Sequence, residues 1–228
     1  MSDVQRALRA WVEDAEAFGI EEVVAPPLVQ PATEAQSGAG VPSLEAMAEE
    51  IAVCTRCALS ETRTRTVPGQ GSAAARIMFV GEAPGADEDR QGLAFVGRAG
   101  QLLTKMIVAM GLDRDKVFIA NVLKCRPPGN RDPAPNEVDR CLPFLKRQIA
   151  LIRPEILVAL GGHAMKNLLQ TEASVGRMRG RVHDYDGTPL VVTYHPAFLL
   201  RSPDMKRAAW EDLQLVLRTL GLAPPDRG

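Results

Sequence analysis

A carboxylate and an aromatic ring follow an apolar run at 77–80, and together they suit a pocket for a flat polar ring. The run ends in Gly-Glu-Ala-Pro-Gly at 81–85, and Phe95 stands in the glycine-rich loop beyond it. Ligand sites in open parallel α/β sheets lie at the carboxyl ends of strands, where Glu82 is expected. The alternative is a solvated acidic turn and a core phenylalanine. The glycine spacing matches no dinucleotide or phosphate loop, so a nucleotide cofactor is poorly supported.

Two further polar residues stand near the ends of predicted strands. Asn121 lies near the end of a strand at 117–122, and His195 directly follows one at 190–194. An amide offers a donor and an acceptor, enough to read the edge of an amide-like ring such as a pyrimidine. A histidine can hydrogen-bond a negative charge that develops on a ring oxygen. The alternatives are a local cap at the strand end and a core histidine.

The segment after His195 combines apolar side chains with a cation. Leu199, Leu200 and Arg201 follow one another on an expected loop. They resemble an apolar wedge that enters a base stack beside a phosphate clamp. The alternative is a loop folded inward. The other two histidines, His163 and His183, are expected to be structural or exposed.

The four cysteines form two pairs. Cys54 and Cys57 make a Cys-x2-Cys, whereas Cys125 and Cys141 flank a 15-residue insert that contains four prolines. An even count without a secretory signal favours a metal over disulfides. The wide second gap suits a four-iron, four-sulfur cluster better than two zinc knuckles. Zinc and unpaired buried thiols remain the alternatives.

The elements that must position these residues alternate along the chain. The pattern predicts an α/β fold, a three-layer α/β/α sandwich with a central four-stranded parallel sheet. The predicted strands are 76–80, 117–122, 155–160 and 190–194, and the helices between and after them are 100–110, 136–151, 163–170 and 204–220.

Composition divides the 228-residue chain into four parts. Apolar residues at helical spacing predict an amphipathic helix within 1–24, and the Pro/Gly/Ala-rich segment 25–43 predicts a flexible linker. A catalytic domain is expected at 44–221 and a tail at 222–228. Ten acidic and two basic residues give 1–53 a net charge of −8, whereas 25 basic and 18 acidic residues give the rest +7. This asymmetry weakly favours a polyanion as partner.

The sequence lacks a candidate membrane span and the basic-then-apolar start of a signal peptide. We therefore expect a cytoplasmic protein, acting at the nucleoid of a bacterium, and a monomer. The N-terminal helix is a candidate docking element for a replication or repair protein.

These motifs resemble family 4 uracil-DNA glycosylases of bacteria and archaea. The segment 81–85 resembles that family's first motif, and His-Pro-Ala-Phe-Leu-Leu-Arg at 195–201 resembles its second. The four cysteines resemble its ligands in order and spacing, which implies a [4Fe-4S] cluster. The resemblance covers about residues 44–221. It implies a base excision repair enzyme that flips uracil out of single- or double-stranded DNA and hydrolyses its N-glycosidic bond.

The resemblance also implies roles for the residues of the base pocket. Phe95 would stack on uracil, and Asn121 would pair with its edge and reject cytosine. His195 would donate to the uracil oxygen and stabilise the leaving anion. Gly81 and Ala83 would also contact the substrate.

The remaining implied roles concern the sugar and the DNA strand. Glu82 would orient or deprotonate water, or stabilise the cationic sugar by its charge. Leu199 and Leu200 would fill the gap left by the flipped base, and Arg201 would hold a phosphate.

Two further expectations concern the release of the product and an alternative function. A relative of the family captures the abasic product on a histidine in an inserted basic loop, but the corresponding loop 123–131 has no histidine. We therefore expect turnover without a covalent adduct. The alternative function is an iron–sulfur DNA-binding redox or interaction protein without glycosylase turnover.

Overall fold

A six-stranded β-sheet organises residues 43–223, which are the residues described by the computed structural model of this chain. In chain order the strands are β1 (Gln70–Gly71), β2 (Ile77–Gly81), β3 (Phe118–Asn121), β4 (Ile156–Leu160), β5 (Val182–Tyr185) and β6 (Thr188–Thr193). Their order across the sheet is β1-β3-β2-β4-β6-β5.

The helices alternate with these strands. In chain order they are α1 (Leu44–Ala52), α2 (Ala86–Gln91), α3 (Arg98–Ala109), α4 (Pro135–Ile152), α5 (Gly161–Leu169), α6 (Val175–Met178), α7 (Pro196–Arg201) and α8 (Lys206–Thr219). Short 3-10 turns occur at Ala58–Glu61, Arg114–Lys116, Pro128–Asn130 and Pro203–Met205. The first helix has Ser43 as its N-cap, because the Ser43 side chain accepts the Ala46 N–H at 3.1 Å.

The centre of the sheet is parallel and covered on both faces. Strands β3, β2, β4 and β6 pair in parallel, and every residue of the first three is buried. Met78 and Val80 face a core shared with α1, α4 and α5, whereas Ile77 and Phe79 face a core shared with α3 and α8. Burial of one such apolar side chain contributes about 1.5–3 kcal/mol. The central strands are therefore rigid supports for whatever follows their carboxyl ends.

The sheet has two strands more than the predicted four-stranded parallel sheet. The four predicted strands form the parallel centre, and two antiparallel strands, β1 and β5, close its edges. Strand β1 has only two residues, too few for any apolar periodicity. Strand β5 alternates exposed and half-buried residues at the edge, so it lacks the continuous apolar run that marked the central strands.

Several expectations concern residues outside the described range. The helix within 1–24 and nearly all of the linker 25–43 precede Ser43, and most of the tail 222–228 follows residue 223. These divisions of the chain remain predictions. Among the helices of residues 43–223, none is both long and apolar enough to cross a lipid bilayer.

Candidate active site

The carboxyl ends of the parallel strands bring the predicted site residues to one edge of the sheet. Gly81 and Asn121 end strands β2 and β3 and lie opposite each other in register. Glu82 directly follows β2, and His195 comes two residues after the end of β6. Side chains from segments far apart in sequence therefore reach one place because the strands run in the same direction.

A cavity of about 230 Å³ opens at this edge of the sheet. Five of the predicted residues line it, namely Glu82, Ala83, Phe95, Asn121 and His195. Gly81 is next to two of these residues: a methyl group added there would overlap Asn121 Oδ1 and lie 2.6 Å from the Phe95 ring. The absence of a side chain at Gly81 therefore lets these two groups approach each other.

Phe95 has an unusual backbone conformation. Its φ is +51°, a region costly for a bulky residue, and its side chain is buried. The backbone of the preceding residue is held by two hydrogen bonds: Arg114 Nη2 donates to Ala94 O at 2.6 Å, and Ala94 N donates to Gln70 Oε1 at 3.1 Å. A side chain at Gly100 would overlap the Phe95 carbonyl, so close packing from α3 also fixes this turn.

Asn121 offers an unsatisfied acceptor beside the cavity. The residue is 1% exposed, and its Oδ1 has no hydrogen-bond partner within residues 43–223. Its backbone carbonyl accepts from the buried Lys124 Nζ at 2.8 Å, and that ammonium also donates to Gln148 Oε1 at 2.6 Å. An unsatisfied buried acceptor costs free energy that a bound N–H donor would recover.

His195 is held as a neutral imidazole with a defined tautomer. Its Nδ1 accepts the Ala197 N–H at 3.1 Å, so the proton of the neutral ring lies on Nε2. Burial, together with the positive charge of Arg201, lowers the pKa of His195 to about 4. The ring lies 5.7 Å from the Phe95 ring between centroids, at an interplanar angle of 36°.

Glu82 lies in a group of ionisable side chains at the cavity. Burial raises its pKa, the charge of His163 opposes that rise, and the charge of Asp132 adds to it. His163 Nε2 lies 3.9 Å from Glu82 Oε2 and 3.5 Å from Asp132 Oδ1. The expectation that His163 is merely structural or exposed missed this proximity. His163 follows strand β4 after Gly161-Gly162. Its place near the carboxyl end of a predicted parallel strand is the sequence signal that could have indicated its proximity to Glu82.

The predicted DNA-contacting segment is a helix rather than a loop. Residues 196–201 form α7, and Leu199 is 1% exposed on its inner face. The expectation that Leu199 enters the base stack is therefore incorrect for this conformation, because its side chain already packs in the core. Leu200 and Arg201 are exposed and remain available to DNA.

The four cysteines line a second pocket on the face of the sheet that α1 and α4 cover. All four are free thiols, and four cysteines are the ligand set of a [4Fe-4S] cluster as well as of a structural zinc, so the residues fit either group.

Neighbouring groups also suit a negatively charged cluster. Arg63 Nη1 donates to Cys125 Sγ at 3.4 Å, and the Lys124 backbone N–H donates to Cys141 Sγ at 3.2 Å. Burial raises the pKa of Cys141 to about 11 and also raises that of Cys125. These two groups are therefore protonated at neutral pH unless a bound cation stabilises their thiolates.

Comparisons with known proteins agree with this arrangement. A family model described as the uracil DNA glycosylase superfamily matches residues 68–214. A type-4 uracil-DNA glycosylase of Sulfurisphaera tokodaii is 46% identical over 191 residues, which cover 80% of this chain and 86% of that protein. One of Archaeoglobus fulgidus is 42% identical over 191 residues, covering 80% and 96%, and one of Thermotoga maritima is 42% identical over 175 residues, covering 75% and 91%. The chain therefore belongs to the uracil DNA glycosylase superfamily, and within it to the type-4 uracil-DNA glycosylases.

Proposed function

We infer that this chain excises uracil from DNA by hydrolysing the N-glycosidic bond and leaves an abasic site. This inference rests on one cavity that is lined together by Glu82, Phe95, Asn121 and His195, in a chain of this family. The scissile bond cannot be reached within a base stack, so the nucleotide must rotate into the cavity.

Recognition of uracil is assigned to Phe95 and Asn121. The Phe95 ring stacks on the flat pyrimidine. The unsatisfied Asn121 Oδ1 accepts the N3–H of uracil, and its amide group donates to O4. Cytosine presents an acceptor at N3 and an amino donor at position 4, so both contacts would be lost. A site built around hydrogen bonds rejects such a base strongly.

His195 is assigned to the leaving group. Bond cleavage places negative charge on the uracil ring, and the neutral Nε2–H donates a hydrogen bond to the ring oxygen where that charge develops. The lowered pKa keeps the imidazole neutral near pH 7, so it stabilises the anion as a donor and needs no proton transfer.

Glu82 is assigned to the sugar side of the bond. As the bond breaks, the sugar gains oxocarbenium character, and a water molecule must attack it. Glu82 either orients and deprotonates that water or stabilises the cation through its own charge. Both roles require the ionised carboxylate.

We propose that the four cysteines hold a [4Fe-4S] cluster, which would tie together the segments that carry Cys54 and Cys57, Cys125, and Cys141. Hydrolysis of an N-glycosidic bond transfers no electrons, so the cluster's contribution would be structural. Purified protein should contain about four iron and about four sulfide ions per chain. Stoichiometric zinc without sulfide would favour the zinc alternative instead.

DNA contacts beside the pocket are assigned to Leu200 and Arg201. The exposed leucine fills the gap that the flipped base leaves, and the guanidinium holds a phosphate. The loop at 123–131 contributes no histidine to capture the product. Release of a free abasic site is therefore expected, as are a monomer and a cytoplasmic location.

The test is an end-labelled oligonucleotide with one uracil, incubated with anaerobically purified, cluster-loaded protein. Half of each reaction is treated with alkali before a denaturing gel. Breakage at the uracil that depends on alkali supports the proposed glycosylase. An intact oligonucleotide would contradict it and favour a DNA-binding redox or interaction role. A slow band that resists denaturation would refute release without an adduct.

A further inference from the structure

Glu88 lies between the two loops that form the uracil cavity. It belongs to helix α2, within the segment whose acidic residues suggested a solvated turn. Its side chain lines the cavity together with Phe95 and Ala83.

The Glu88 carboxylate accepts three backbone N–H groups from both loops. Oε2 accepts from Gly85 N at 3.1 Å, at the end of the segment 81–85. Oε1 accepts from Val96 N and Gly97 N, both at 2.8 Å, directly after Phe95. Hydrogen bonds to an ionised acceptor are shorter and stronger than neutral ones, so one side chain joins both walls of the cavity.

The loop after Phe95 requires such a restraint. The positive φ of Phe95 is unfavourable for an aromatic residue and persists only where surrounding bonds hold it. Arg114 and Gln70 hold the backbone of the residue before Phe95, whereas Glu88 holds the two amides after it. Gly97 also precedes helix α3, whose N-terminal dipole favours a carboxylate at this point.

We propose that Glu88 is a positioning residue that sets the orientation of the Phe95 ring against the segment 81–85. This proposal rests on the inferred binding of uracil in the cavity. Glu88 acts through Phe95, because three of the roughly four acceptor positions of its carboxylate are already filled by backbone donors.

The test is a double-mutant cycle with Glu88→Gln and Phe95→Leu in the full-length holoenzyme. Single-turnover excision of uracil gives the limiting rate and the half-saturating concentration, and binding to undamaged DNA is measured in parallel. Glutamine has nearly the same size but replaces one acceptor oxygen with a donor. Glu49→Gln, an exposed acid-to-amide change on α1, is the matched control.

We expect Glu88→Gln to reduce the limiting rate for uracil about tenfold and to leave affinity for undamaged DNA unchanged. The double variant should be no slower than Phe95→Leu alone, because both changes remove the same stacking contact. A general loss of stability would instead multiply the two effects. Glu88→Ala, which removes all three bonds, should give at least the same loss.

Two results would overturn the proposal: wild-type excision by both Glu88 variants, or effects of Glu88→Gln and Phe95→Leu that multiply. Failure of the unmodified protein to excise uracil would overturn the proposed function itself. The two failures are therefore distinguished by the wild-type reaction.

Discussion

Gly81 and Asn121 lie opposite each other at the last paired position of two parallel strands, and the Asn121 amide occupies the space that a side chain at Gly81 would need. This relationship explains how a rigid sheet can present a hydrogen-bonding edge and an aromatic face in the same small cavity. The position of the amide is set by backbone pairing, not by a mobile loop.

Substitution of Gly81 by alanine should therefore damage the cavity directly. The added methyl would lie 2.6 Å from the Phe95 ring and overlap Asn121 Oδ1, so one or both groups must move. We expect excision to fall by at least about tenfold, because small displacements of positioned groups are costly. Gly162→Ala is the control, since its methyl would come no closer than 3.9 Å to Val175. Similar excision rates for both variants would contradict this account.

Replacement of Asn121 by leucine should separate activity from stability. Leucine keeps the branching and the number of heavy atoms, and it removes a buried acceptor that has no partner in the described chain. We expect excision to fall by at least about a hundredfold while the free energy of unfolding rises by about 1 kcal/mol. Excision assays and denaturant unfolding measure the two effects. A large loss of stability would show that the amide supports the fold instead of the substrate.

The pH dependence of excision should respond in opposite directions to two neighbours of Glu82. The positive charge of His163 lowers the Glu82 pKa, and the negative charge of Asp132 raises it. Because the role proposed for Glu82 requires the ionised carboxylate, His163→Gln should move the acid limb of the rate profile to higher pH. Asp132→Asn should move it to lower pH. Shifts in the same direction, or none in either variant, would exclude Glu82 as the group that controls this limb.

The pH dependence of stability should carry a contribution from His195. Its folded pKa of about 4 lies below its ordinary value of 6.5, so the unfolded chain binds a proton that the folded chain does not. Acid therefore favours unfolding, beginning near the ordinary pKa and levelling off below about pH 4. Relative to His195→Asn, the wild type should lose about 2 kcal/mol between about pH 8 and about pH 5. A constant difference between the two proteins would contradict the lowered pKa.

The sequence predicted the parts of the fold that depend on continuous apolar runs. Strands buried on both faces need such runs, so β2, β3, β4 and β6 were predictable. The edge strand β5 faces solvent and mixes polar with apolar residues, and its pairing depends on the neighbouring β6. Helix α7 was not predicted either. It is short, and it buries Leu199 in a segment that was expected to be a loop.

The sequence predicted which residues belong to the candidate site better than it predicted the contacts between them. Asn121 and His195 stand at strand ends, which parallel topology must bring together. The link between Glu82 and His163 joins residues about eighty positions apart, and nothing local to either one indicates it. Glu88 was missed because three successive acids look solvated, whereas its carboxylate in fact accepts backbone N–H groups.

We propose that the groups at the strand ends break the bond to uracil. The most direct test is the single-turnover excision rate of Glu82→Gln, which preserves the size of the side chain and removes its charge. We expect the rate to fall by at least about a hundredfold, with the protein folded, the metal content unchanged and DNA binding retained. Excision at the wild-type rate by this folded variant would contradict the account.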